Sequence, residues 1–170
     1  SLDHARRLAG DGVHEAVVTP HVGHPQFPLD VSSIAARTER LQAALDAERI
    51  PLRLRPGGEL HPSAAARLRR DDLDRIAQGP EGARWVLLEV PFSGVDRAFV
   101  ASCRALRRQG FAVVIAHPER AAGLLDDGLR LLEPELAAGA LLQVNVCSLL
   151  GDHGDEVRDA ARWLVGQRMA

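Results

Sequence analysis

The chain has 170 residues with 21 basic against 23 acidic side chains, a formal charge of −2, and 46% hydrophobic residues, the profile of one ordinary globular domain over residues 1–170. No apolar run approaches the roughly 18 residues that cross a bilayer, and a near-neutral chain without a basic tail has no electrostatic footprint for nucleic acid, so neither membrane insertion nor DNA or RNA binding is expected. All 21 basic residues are arginine and tyrosine is absent, which excludes a P-loop lysine, a Schiff-base lysine and a phenolic acid. Cys103 and Cys147 show neither metal-ligand nor disulfide spacing, which suits a reducing cytoplasm. The sixth position after each is Gln109 and His153, not the arginine a thiolate phosphatase loop requires.

In chain order, Leu2, Ala5, Leu8 and Ala9 recur at helical spacing until Gly10-Asp11-Gly12 stops them, a helical opening rather than a signal peptide. Residues 15–19 are a short β-branched run that predicts a buried strand ending at Pro20-His21. Two prolines and a glycine make residues 21–29 a loop, after which Asp30 or Ser32 can cap an amphipathic helix through Ile34, Leu41 and Leu45. The alternation repeats. Residues 52–56 predict a strand ending at Gly57-Gly58-Glu59, and residues 64–77 predict helical turns. Residues 85–90 predict a strand before a helix over 96–108, and residues 111–116 another before a helix over 124–138 that Pro134 is expected to kink or break. A last strand over 141–146 precedes a helix over 155–169.

Five strands alternating with helices indicate parallel βαβ units, hence an α/β fold that is either an open sheet or a barrel. Four strand ends carry an ionisable or ligand-type residue, namely His21, Glu59, Glu89 and His117, while the fifth ends near Asn145 and Ser148. A barrel would bring all of them to one mouth, so the barrel is the preferred architecture. Two histidines and two glutamates without sulfur suit Mn²⁺, Zn²⁺ or Fe²⁺. A bridging carboxylate would hold two ions at the spacing used for hydrolysis of phosphate esters. Arg120, three residues beyond His117, has the planar fork that clamps a phosphate oxygen.

Glu89 is the most pointed of these, because a carboxylate interrupting Val-Leu-Leu-Glu-Val-Pro would cost several kcal/mol to bury unpaired. His24 and His61 stand beside His21 and Glu59 as extra ligands or rim residues, and both readings stay open. His4, His14 and His153 are expected at the surface, Cys147 as a small packing residue, and the Arg-rich segments 67–75 and 104–108 as solvated helix faces with internal ion pairs.

Thr19-Pro20-His21, Pro56-Gly57-Gly58-Glu59-Leu60, Leu87-Leu88-Glu89-Val90-Pro91, Ala116-His117-Pro118-Glu119-Arg120 and the run Gln-Val-Asn-Val-Cys-Ser-Leu-Leu-Gly at 143–151 together resemble the bacterial PHP-type (polymerase and histidinol phosphatase) protein-tyrosine phosphatases of capsule and exopolysaccharide operons. The match follows the family's order over essentially the whole chain. The resemblance implies a distorted seven-stranded (β/α) barrel in the cytoplasm of a bacterium. It also implies a centre of up to three ions, usually Mn²⁺ with Fe²⁺ or Zn²⁺ as alternatives, that hydrolyses phosphotyrosine on a cognate tyrosine kinase. Carried over, His21, Glu59, Glu89 and His117 look like metal ligands, Glu59 like a bridging and catalytic one, and Arg120 like the phosphate-contacting or proton-donating residue. Five of the seven strands fall within this sequence. The family's N-terminal His-x-His and C-terminal Asp-x-His segments do not, so the domain is expected to be incomplete at both ends and its activity alone in doubt. The exposed strand edges this would leave invite a homo-oligomer. The alternatives are a non-catalytic binding or assembly module of the same shape, or a small-molecule phosphate monoesterase such as a histidinol phosphatase.

Overall fold

The structure is a computed structural model that describes residues 2–170; Ser1 lies outside the described residues. Its helices are α1 (Leu2–Gly10), α2 (Ile34–Ala47), α3 (Arg70–Ile76), α4 (Arg97–Arg108), α5 (Leu129–Ala137), α6 (Val146–Leu150) and α7 (Asp155–Gly166). Its strands are β1 (Glu15–Val18), β2 (His21–Val22), β3 (Arg53–Pro56), β4 (Glu59–Leu60), β5 (Trp85–Glu89), β6 (Ala112–Ala116) and β7 (Leu141–Gln143). All the strand pairs are parallel: β1 with β3, and a five-stranded sheet in the order β2-β4-β5-β6-β7.

Each of the first two predicted strands is followed by a short one that the sequence does not predict: β2 lies in the stretch 21–29 read as a loop, and β4 lies beyond the expected strand end. Thr19-Pro20 separates β1 from β2, and Gly57-Gly58 separates β3 from β4, so the chain bends where a uniform ladder would otherwise continue. The pair stays laced across the bend, because Glu59 donates its N–H to Pro20 O at 3.0 Å and His61 to Val22 O at 2.9 Å. Glycine is needed here by close approach. A Cβ at Gly57 would stand 2.5 Å from Val17 Cγ1, and one at Gly58 2.8 Å from Val22 Cγ2. The sheet is not closed into a barrel: among the described residues β2 and β7 are edges that do not pair with each other, as a sheet with five of the family's seven strands would leave them.

Two apolar clusters carry the packing. The larger lies between the sheet and its helices, around Val22, Leu60, Leu88, Phe99, Ile115 and Leu164. The smaller sits under α1 and α2 and is built on Ala5, Leu45, Ile50 and Leu52. The helical turns expected over 64–77 are a 3₁₀ turn over Pro62–Ala64 and then α3, which begins where Arg69 is extended and Asp71 and Asp72 favour a helix N-terminus. Two local expectations are corrected. Pro134 is accommodated inside α5, and the irregularity sits upstream as a π turn over Leu124–Gly128. The last strand stops at Gln143, because Asn145 turns the chain into α6 while its N–H bonds to the Glu119 carboxylate at 3.0 Å.

Candidate metal centre

The strand register assembles the site. His21 of β2 stands opposite Glu59 of β4, and Glu59 opposite Leu87 of β5. Because side chains on a strand share a face at every second residue, Glu89 rises on the same face as Leu87. His117 follows at once after Ala116, the partner of Glu89 in β6. The donor atoms of His21, Glu59 and Glu89 all lie within 4.8 Å of one another, and His21 Nδ1 is 3.7 Å from Glu89 Oε2. His117 does not join that group directly. Its Nε2 lies 2.9 Å from Glu59 Oε1, so Glu59 links it to His21 and Glu89.

Several of these atoms are buried and unsatisfied. His21 Nδ1, Glu89 Oε2 and His117 Nδ1 have no hydrogen-bond partner, although Glu89 is only 7% exposed and His117 6%. Orphaned buried polar atoms are costly unless something absent from the protein satisfies them. Two carboxylates this close also repel by about 3 kcal/mol at an effective dielectric of about 20, which a cation between them would reverse. An oxygen and imidazole donor set of this kind fits a borderline divalent ion. Backbone strain marks the same spot: His117 takes φ 37°, ψ 52°, left-handed for a non-glycine, and turns the chain from β6 into the Pro118–Arg120 turn.

A second group shares Glu89. The donor atoms of His24, His61 and Glu89 also lie within 4.8 Å of one another. The rings of His24 and His61 meet edge to face at 4.9 Å, and Phe27 covers His21 at 5.3 Å and His24 at 4.6 Å. Burial holds the His61 imidazole below its ordinary pKa, which favours the neutral ring. A cavity of about 210 Å³ is lined by His24, His61, Glu89 and Phe92. Phe92 also borders a cavity of about 410 Å³ that contains Glu119 and Arg120. The Arg120 guanidinium lies over the Phe92 ring at 4.4 Å, and the His117 ring lies 5.7 Å from the same phenyl.

Outside the centre, His4, His14 and His153 are exposed as expected. Cys103 is buried, and its thiol is pushed up to about 12, chiefly by desolvation. Cys147 is not a packing residue; it is exposed, on the outward side of α6. The segment 104–108 is not simply a solvated face either. Arg104 Nε lies 3.0 Å from Glu135 Oε1 and Arg107 Nη2 3.0 Å from Glu135 Oε2, and Glu135 is fully buried. Sequence reasoning also passed over Glu119, a buried carboxylate whose Oε1 accepts from Ser148 Oγ at 2.7 Å and from Asn145 N–H, tying the turn after β7 to the turn after β6. Its position before Arg120 was the only available signal.

CapC of Staphylococcus aureus, named as a candidate tyrosine-protein phosphatase, is 24% identical over 170 residues, covering all of this chain and 66% of CapC. The tyrosine-protein phosphatase YwqE of Bacillus subtilis is 27% identical over 158 residues, covering 93% of this chain and 61% of YwqE. The chain thus spans about two thirds of the length of the curated relatives it matches. A crystal structure from the work on YwqE of Bacillus subtilis and CpsB of Streptococcus pneumoniae, described as metal-dependent tyrosine phosphatases, superposes with a TM-score of 0.77 at 26% identity, covering 97% of this chain and 66% of that one. The family model for capsular polysaccharide synthesis, CpsB/CapC, matches residues 2–170, and the chain belongs to that family.

Proposed function

We propose that this chain carries the catalytic face of a metal-dependent protein-tyrosine phosphatase acting in capsule or exopolysaccharide synthesis in the bacterial cytoplasm. The working ion is Mn²⁺ and the substrate a phosphotyrosine on a bacterial tyrosine kinase. In this reading His21, Glu59, Glu89 and His117 hold the ions, Glu59 bridging between them, and Arg120 takes a phosphoryl oxygen. Residues 1–170 belong to one domain of distorted-barrel type, and the open strand edges at β2 and β7 admit a second copy. The observation that carries the reading is the convergence of the His21, Glu59 and Glu89 donors within 4.8 Å, with His117 bonded to Glu59 and three buried donor atoms left unsatisfied.

When bound, divalent ions supply Lewis acidity and lower the pKa of water. The chain's own residues supply the rest. The Glu59 to His117 hydrogen bond fixes the orientation of both groups, as an outer partner fixes a ligand. Arg120 presents a permanent positive charge with a forked donor geometry that suits an equatorial phosphoryl oxygen. Phe92 supports that guanidinium from below, and with Phe27 it offers exposed aromatic surface for the tyrosyl ring of a substrate.

The test is hydrolysis of a phosphotyrosine peptide by the chelated chain with Mn²⁺ restored. Activity is expected to return with the ion and to fall by about 100-fold or more in kcat/KM for His117→Ala. Undiminished hydrolysis in that variant sinks the reading. Faster turnover of small alkyl phosphates would move the substrate to a small molecule, and peptide binding without turnover would make the domain a binding module.

A further inference from the structure

We propose that His24, His61 and Glu89 form a second divalent-cation site, sharing the Glu89 carboxylate with the His21 and Glu59 group. The three side chains come from different loops and a strand end, yet their donor atoms fall within 4.8 Å of one another. An ion bound at about 2.1 Å draws its ligand atoms to roughly 3–4 Å apart, so occupancy asks for ring movements of about an ångström. Glu89 is more than nine-tenths buried and its Oε2 has no hydrogen-bond partner, so one carboxylate faces both histidine groups and satisfies neither. The 210 Å³ cavity bounded by His24, His61, Glu89 and Phe92 leaves room for an ion and further ligands. Two imidazoles and one carboxylate are the donor set of open zinc and iron sites, so the expected occupant is Zn²⁺ or Fe²⁺ rather than Mg²⁺ or Ca²⁺.

Both rings are already steered by their own loops. His61 precedes the 3₁₀ turn over Pro62–Ala64, and its Nδ1 accepts the Ser63 N–H at 3.3 Å and lies 2.9 Å from Ser63 Oγ; ion binding through Nε2 would move the ring proton to Nδ1, where Ser63 Oγ can accept it. His24 Nδ1 accepts the Gln26 N–H at 3.1 Å, a contact that ion binding through Nε2 would exchange for the metal bond. Ser63 is therefore a positioning residue for the site. The inference extends the metal-centre reading above, and does not require phosphotyrosine to be the substrate.

The experiment counts ions on the full chain. Zn²⁺ bound per chain is measured by mass spectrometry after equilibrium dialysis, and visible absorption of the Co²⁺-loaded protein reports the ligand set. The double variant His24→Ala, His61→Ala is expected to bind one ion fewer than the parent and to lose part of the Co²⁺ band. Ser63→Ala, which touches no proposed donor atom of the ion, is expected to keep the count and to weaken one Zn²⁺ equivalent by about 10-fold. An unchanged ion count and Co²⁺ spectrum in the double variant overturns the inference while the hydrolase reading stands. Should the double variant not fold, unchanged Zn²⁺ affinity in Ser63→Ala overturns it. The expected loss of one ion in a chain without phosphotyrosine hydrolysis supports the second site and counts against the hydrolase reading alone.

Discussion

His117 Nε2 lies 2.9 Å from Glu59 Oε1, joining a residue just past β6 to the first residue of β4 across the intervening strand β5. That bond sets up the sharpest test of the centre. Glu59→Gln keeps an oxygen that can accept from His117 Nε2–H but removes the charge an ion needs. The variant is expected to melt within a few degrees of the parent, to lose at least one bound divalent ion, and to lose about 100-fold or more in phosphotyrosine hydrolysis. Calorimetry with an ion count checks all three, and full ion occupancy in the variant would remove Glu59 from the ligand set.

Phe92 is half exposed and carries the Arg120 guanidinium at 4.4 Å. A cation over an aromatic face at such an exposed site is worth about 0.5–1 kcal/mol. Phe92→Ala is expected to lower kcat/KM for an aryl phosphate by about 2- to 5-fold, with Phe92→Trp restoring it. Steady-state kinetics on the three proteins decide it.

Gly58 leaves no space for a methyl group, since a Cβ would stand 2.8 Å from Val22 Cγ2 and 2.9 Å from Ile76 Cγ2. Overpacking of this order costs about 1–3 kcal/mol. Because the strain falls one residue before Glu59, Gly58→Ala is expected to lower both the urea midpoint and the affinity for divalent ions. A loss of stability with unchanged ion affinity would show that Glu59 is positioned independently of the bend.

Glu135 is fully buried between Arg104 and Arg107, although only the Arg104 contact has hydrogen-bond geometry. Removing the carboxylate strands two arginines that can still reach water, so Glu135→Ala is expected to cost about 3 kcal/mol, the low end for breaking a buried pair. Arg104→Ala is expected to cost at least as much, because it takes the only side-chain hydrogen bond from a fully buried carboxylate and leaves Arg107 as its sole counter-charge. Urea unfolding of both variants provides the comparison.

The two cysteines are expected to separate by reactivity. Desolvation pushes the buried Cys103 thiol from 9.0 up to about 12, whereas Cys147 is exposed. At pH 8 an aromatic disulfide reagent is expected to titrate one thiol in the folded chain and two after denaturation. The raised pKa also has a sign for stability: below pH 9 the Cys103 contribution is fully present, and it is lost between about pH 9 and 12 as the unfolded thiol ionises first. A melting temperature that rose across that interval in the parent relative to Cys103→Ala would contradict the burial of the thiol.

Much of the frame is local chemistry and so is legible in the chain. The apolar runs at 85–89 and 112–116 are strands because β-branched and leucine residues in continuous runs suit a parallel sheet covered on both faces. Asp96 starts α4 by accepting the Phe99 N–H at 2.7 Å, as a capping residue would. The candidates His21, Glu59, Glu89, His117 and Arg120 are also visible as polar residues at the ends of apolar runs. What the sequence determined by itself was therefore the βαβ alternation and the identity of the chemical groups. Only the tertiary structure decided which of them meet. The register that sets His21 beside Glu59, the link from Glu59 to His117, the sharing of Glu89 with His24 and His61, and the burial of Glu119 and Glu135 all depend on pairings between segments distant in sequence. Periodicity records which face of a segment is apolar, but it carries no record of which neighbour that face will find.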